Sequence, residues 1–208
     1  NVGNESVDIQ QQEPVEISEL ETTENNDLSK SSESITVDES IAEDILATQA
    51  DTAVVVGTVS DYLTAKGDAK LYNINLPAGV YLQAQLTTPA NADLDYDLYL
   101  LDAEGNILTG SDYYTYINGT AGTLPEALGY ITSGDTATYY LYVLASEGGS
   151  VSESFTLDYS VSTACDSYEI DESVRQALAF TYGAGGAYIE SRNLSSPIDN
   201  DWYVITVP

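Results

Sequence analysis

The chain has 208 residues, with 34 Asp or Glu against five Lys or Arg for a net charge of −29, and its 43% hydrophobic content is enough to build a core. A surface so acidic repels nucleic acid and anionic lipid, whose recognition depends on Lys and Arg, and it attracts hard, oxygen-seeking cations such as calcium. With no His and a single Cys, the chain excludes a Ser-His-Asp triad, a Cys-His pair, a His-ligated zinc site and an intramolecular disulfide.

Residues 1–34 are polar, acidic and almost free of aromatics, and such a stretch cannot bury enough apolar surface to offset its ordering entropy. It reads as a flexible acidic leader; the alternative is that part of it, such as "PVEISEL", docks as an added strand. Asp38–Ala47, "DESIAEDILA", carries the one helical pattern, with Ile41 and Ile45 on one side and acids at its start. From Thr52 the texture becomes that of strands: "AVVVGTV", "KLYNINL", "VYLQAQL", "YDLYLLD", "YYTYI", "TYYLYVLA" and "SFTLDYSV" are short, largely alternating and rich in Val, Tyr, Leu and Thr. Turn signals separate them, among them "LPAG", "PANAD", "AEGN", "TSGD" and "EGGS". Short alternating strands at this spacing predict an all-β, antiparallel β-sandwich. No run approaches the roughly eighteen apolar residues of a membrane helix. The chain starts at Asn1 without an apolar signal core, so it is expected to be a mature or excised segment of an exported protein.

The pattern then repeats. "ITVDESIAEDI" at Ile35–Ile45 resembles "YEIDESVRQAL" at Tyr168–Leu178, and "DAKLYNINLP" at Asp68–Pro77 matches "DNDWYVITVP" at Asp199–Pro208. Asp171 follows Asp38 by 133 positions (171 − 38) and Asp199 follows Asp68 by 131 (199 − 68). Two matches at nearly one offset argue for a tandem duplication. The expected organisation is therefore a leader over 1–34, one domain over 35–164, and the opening portion of a second, incomplete copy over 165–208.

The order of these features is similar to that of a known family. An acidic opening is followed by a Gly-containing strand, an Asp before an aromatic strand ending in "LPAG", the run "ADLDYDLYLLDAEGN", a "TYYLYV" strand and a closing "FTLDYSV". This resembles the bacterial pre-peptidase C-terminal domain, whose relatives include collagen-binding modules of clostridial collagenases. The likeness covers essentially all of 35–160 and the opening third of a copy in 165–208. It implies a jelly-roll-like sandwich, used as an accessory module on secreted or surface proteins, and in many members a calcium site built from an acidic opening plus aspartates before the aromatic strand. Carried over residue by residue, the second copy offers Glu169, Asp171, Glu172, Asp199 and Asp201, and the first offers Asp38, Glu39 and Asp68. In the first copy Thr36 replaces the glutamate and Lys70 stands where Asp201 stands later. An ammonium there competes with a metal, so calcium is expected at the second set rather than the first. The alternative for both sets is that they are solvated turn acids.

Alternation places Asp93, Asp95 and Asp97 of "DLDYD" on one strand face and Leu94, Tyr96 and Leu98 on the other. A structural or turn-capping role is the first reading, a further calcium site the second, and a pair of catalytic carboxyls the last, since nothing indicates a sugar cleft. Sequons at Asn4, Asn118 and Asn193 are read as chance in an Asn- and Ser-rich chain, and Cys165 as a small, partly buried residue at the domain junction, with an intermolecular disulfide as the alternative.

The expected function is a non-catalytic, extracellular calcium-binding accessory or adhesion module, secreted or on the cell surface. Its ligand would be a protein or polysaccharide, met by a tyrosine-bearing sheet face. The alternative is a filament or tube subunit that self-associates by donating a terminal strand, because a half-copy of about two strands cannot bury a core of its own. Neither reading involves nucleic acid or membrane insertion. An enzyme ranks last, for want of a nucleophile–base pair.

Overall fold

In the computed structural model the described residues are 32–34, 54–112, 125–163, 165, 169–173, 176–180 and 194–205. They form eleven strands and no helix. The strands are β1 (Ser32–Ser34), β2 (Val54–Asp61), β3 (Ala69–Leu76), β4 (Tyr81–Thr87), β5 (Asp95–Leu101), β6 (Ile107–Ser111), β7 (Glu126–Ile131), β8 (Ala137–Glu147), β9 (Phe155–Ser162), β10 (Leu178–Phe180) and β11 (Tyr203–Ile205). One sheet has the order β1-β3-β8-β5-β6, a second has the order β2-β9-β4-β7, and β10 and β11 pair in parallel. Within the two larger sheets all neighbours are antiparallel except β1 on β3. Successive strands after β2 cross repeatedly from one sheet to the other, which is the wiring of a jelly-roll-like sandwich.

Period-two alternation builds the core between the sheets. Tyr72, Ile74 and Leu76 of β3, Leu98 and Leu100 of β5 and Leu141 and Val143 of β8 face Leu82 and Leu86 of β4 and Phe155, Leu157 and Val161 of β9, all buried. Tyr96 lies among them, edge-on to Phe155 with ring centroids 6.2 Å apart, and its hydroxyl donates to Leu63 O at 3.3 Å. A buried tyrosine is thus satisfied by a backbone carbonyl at the sandwich rim. At the far side the edge strands β6 and β7 meet: Ser111 Oγ donates to the Glu126 carboxylate and accepts from Ala127 N at 3.2 Å.

The all-β sandwich is the class that the alternating segments predict. Strands β6 and β7 were not among the predicted segments. "ILTGS" is short and "EALGYI" holds Glu, Ala and Gly, so neither carries a clear β signature. Strand β7 is held instead by its partner β4, from Tyr81↔Ile131 to Leu86↔Glu126. Strand β1 takes in the last three residues of the segment read as a leader. The helical pattern at Asp38–Ala47 and the "YYTYI" segment lie outside the described residues.

Candidate metal centre

Two turns with the same local geometry precede β3 and β11. In the earlier one, Thr64 N and Thr64 Oγ1 both donate to Asp68 Oδ2, the former at 2.8 Å, and Asp68 N donates to Ala65 O at 3.0 Å. In the later one, Ser195 N donates to Asp199 Oδ2, and Asp199 N donates to Ser196 O at 3.3 Å. The corresponding residues are 131 positions apart (195 − 64, 199 − 68). An aspartate that accepts from the backbone four residues earlier closes such a turn and aims the following strand.

Beyond the turns the two stretches diverge in charge. In the earlier one, Lys70 Nζ pairs with Asp61 Oδ2 at 2.9 Å, and Tyr72 OH donates to the same oxygen at 3.0 Å. Burial raises the Asp61 carboxyl, but the hydrogen bonds from Lys70, Tyr62 N and Tyr72 and the Lys70 charge outweigh it, and the net shift is downward. In the later stretch the hydroxyl of the corresponding tyrosine, Tyr203, donates to Asp201 Oδ2 at 3.2 Å, and Asp201 stands where Lys70 stands earlier.

The later stretch gathers carboxylates. Trp202 N donates to Asp171 O at 2.9 Å and Leu178 N to Trp202 O at 2.9 Å, tying Asp171 and Leu178 to the residue before β11. Carboxylate oxygens of Glu169, Asp171 and Asp201 lie within 4.8 Å of one another, and so do those of Glu169, Glu172 and Asp199. Asp171, Glu172 and Asp199 are 2%, 1% and 9% exposed. Glu172 Oε2 and Asp199 Oδ1 are buried and receive no hydrogen bond. Burial pushes the Glu172 carboxyl up to about 8; the Asp199 and Asp201 charges push the same way, and backbone N–H groups of Glu172 and Asp171 pull against them. Like charges so close and so dry repel unless protons or a cation intervene. An all-oxygen carboxylate set of this size suits a hard cation, calcium before softer metals.

The cluster rests on the outer face of the four-stranded sheet. Tyr81 OH donates to Glu169 Oε2 at 2.7 Å and Gln83 Nε2 to Glu172 Oε1 at 3.0 Å, while Ser160 Oγ donates to Gln83 Oε1 at 3.0 Å. Gln176 spans both backbone groups of Gly129, accepting from its N at 3.2 Å and donating to its O at 3.0 Å. These sheet residues were missed by sequence reasoning. In "VYLQAQL" Gln83 falls on the polar phase of the alternation, which reads as solvent-facing.

Of the candidate ligands, Glu169, Asp171, Glu172, Asp199 and Asp201 are brought together. Asp38 and Glu39 lie outside the described residues. Asp68 is committed to its turn and joins no carboxylate group among the described residues. Hydrogen bonds from Thr64 and Ala65 hold its carboxyl below the ordinary range. The "DLDYD" acids do not share one strand face: Asp93 sits in the turn before β5, where its N donates to Asn91 Oδ1 at 3.1 Å, and only Asp95 and Asp97 are in the strand. Leu94, Tyr96 and Leu98 do point inward.

No protein-family model and no curated protein matches the chain. Among solved structures, similarity is found to PliG of Aeromonas hydrophila, a periplasmic inhibitor of g-type lysozyme, at 11% identity over 55% of this chain and 89% of that one, with a TM-score of 0.32. The pre-peptidase C-terminal domain of a Bacillus anthracis collagenase is similar at 16% identity over 51% of this chain and 89% of that one, with a TM-score of 0.31. A subunit of the disulfide-linked pili of Bacillus endospore appendages gives 12% identity over 54% and 88%, with a TM-score of 0.35. These are distant likenesses and do not establish membership of any of the three families.

Proposed function

We propose that the chain is a non-catalytic calcium-binding module of a secreted or cell-surface bacterial protein, serving adhesion or substrate targeting. The observation that carries this reading is that Glu172 and Asp199, each with a buried oxygen that receives no hydrogen bond (Oε2 and Oδ1), group with Glu169, which also groups with Asp171 and Asp201. A divalent cation would offset the repulsion among these carboxylates, and millimolar calcium outside the cell would fill even a modest site. The ligand is proposed to be a protein or polysaccharide. Tyr140 and Tyr142, half-buried on the outer face of the five-stranded sheet, are the aromatic groups available to meet it. The test is calorimetric titration with calcium. Asp199→Ala combined with Asp201→Ala should abolish binding, and Asp68→Ala should leave it intact; equal effects would remove the assignment.

A second reading rests on β11. Strand β3, its counterpart in the earlier stretch, is flanked by β1 and by β8, whereas β11 pairs with β10 alone among the described residues and leaves Val204 and Ile205 half exposed. An incoming strand from a neighbouring subunit would complete it by β-augmentation. Light scattering of the chain in calcium and then in EDTA tests this: a monomer in both conditions removes the strand-donation reading.

A further inference from the structure

We propose that the sandwich supplies the supporting half of the calcium site, with Tyr81, Gln83 and the bare backbone of Gly129 as positioning groups, so that cation binding and docking of Glu169, Glu172 and Gln176 onto the four-stranded sheet are one coupled event. This inference rests on the calcium reading above and adds to it the residues that orient the ligands.

The outer face of β4 is polar yet closed: Tyr81 and Gln83 are each 1% exposed. Gln83 cannot flip without loss. Its Oε1 accepts from Ser160 Oγ at 3.0 Å and from Ser195 Oγ at 3.5 Å, which leaves Nε2 to donate to Glu172 Oε1 at 3.0 Å. That bond fixes the Glu172 carboxylate, whose other oxygen has no donor, within the group it forms with Glu169 and Asp199. Tyr81 likewise holds Glu169, donating to its Oε2 at 2.7 Å. Both supports are neutral donors. They favour the charged carboxylate without adding a positive charge that would compete with the cation, as Lys70 does beside Asp61.

Gly129 sets how closely Glu172 can approach. A Cβ there would lie 2.1 Å from Glu172 Oε2, 2.7 Å from Glu172 Cδ and 2.8 Å from Ile170 Cγ2. The Glu172 carboxylate therefore lies directly on the β7 backbone, beside the point where Gln176 bridges Gly129 N and O. Groups that hold a ligand from behind orient it, and losing one costs about ten- to a hundredfold in metal affinity. By linkage, whatever raises affinity through docking must also strengthen docking through the cation.

The experiment is calcium chloride titration of the full chain by calorimetry, paired with hydrogen exchange at the Gly129 amide, which reports docking directly. Gln83→Leu and Gly129→Ala should each weaken calcium binding about tenfold or more, and the calcium concentration that protects the Gly129 amide should rise in parallel. Gln83→Lys separates positioning from space-filling: an ammonium paired with Glu172 should keep the amide protected in EDTA while calcium affinity falls. If wild type binds calcium and both Gln83→Leu and Gly129→Ala bind it with unchanged affinity, the inference is overturned and the calcium reading stands. If wild type binds no calcium, both are overturned.

Discussion

Asp97 lies on the outer face of β5, 6% exposed, where Ser146 Oγ donates to its Oδ1 at 3.2 Å and Tyr99 OH to its Oδ2 at 3.3 Å. Burial pushes its carboxyl from 3.8 up to about 7, the Asp95 and Asp112 charges add to this, and the two hydroxyls oppose it. The folded chain therefore holds a proton there that the unfolded chain releases. The associated stability is complete below about pH 4 and is lost as pH rises through about 7. Asp97→Asn should stabilise the protein at pH 8 by on the order of 3 kcal/mol and flatten the dependence of melting temperature on pH. Glu172 adds to the same slope in the parent, so the difference between variant and parent isolates Asp97. Identical pH profiles for the two would show that Asp97 is ionised in the fold at little cost.

At the scale of elements, β2 and β9 pair without interruption from Val54↔Ser162 to Asp61↔Phe155, and the cross-strand pair Gly57↔Tyr159 depends on a missing side chain. A Cβ on Gly57 would sit 2.2 Å from Tyr159 Cζ and Oη, so the ring of a core residue occupies the space over the glycine. Strand propensity alone predicts that Gly57→Val stabilises β2. Overpacking predicts the reverse, a loss of about 2 kcal/mol. We expect the loss, read as a lower midpoint in urea; a raised midpoint would mean that the ring moves aside freely. Strands β6 and β7 make the complementary point. Each is weak in isolation, and the two are fastened by Ser111 and Glu126 and by register with β4 and β5, none of which a local window contains.

At the scale of the whole molecule, Glu169, Glu172 and Gln176 are held to the sandwich by hydrogen bonds to Tyr81, Gln83 and Gly129. Such contacts leave their docking sensitive to the charge among the five carboxylates. Calcium at about one hundred times its dissociation constant should raise the melting temperature of the full chain by roughly 5–10 °C over EDTA. An unchanged melting temperature at saturating calcium would show that the cation does not bind the folded chain preferentially.

What the sequence determined by itself is what local periodicity controls. Alternating segments pointed to an all-β sandwich and set Leu94, Tyr96 and Leu98 on one face, which is the buried one, because a two-residue period is a property of the strand itself. The acids at 169, 171, 172, 199 and 201 were legible as a set through a resemblance and a repeat. Tertiary structure alone decided that Gln83, on the polar phase of β4, is buried under Glu172 eighty-nine residues later, and that Asp93 leaves the strand its spacing assigned it to. It likewise decided that Lys70 answers Asp61. Which polar face is covered, and by what charge, depends on segments far apart in the chain, and no local pattern encodes their meeting.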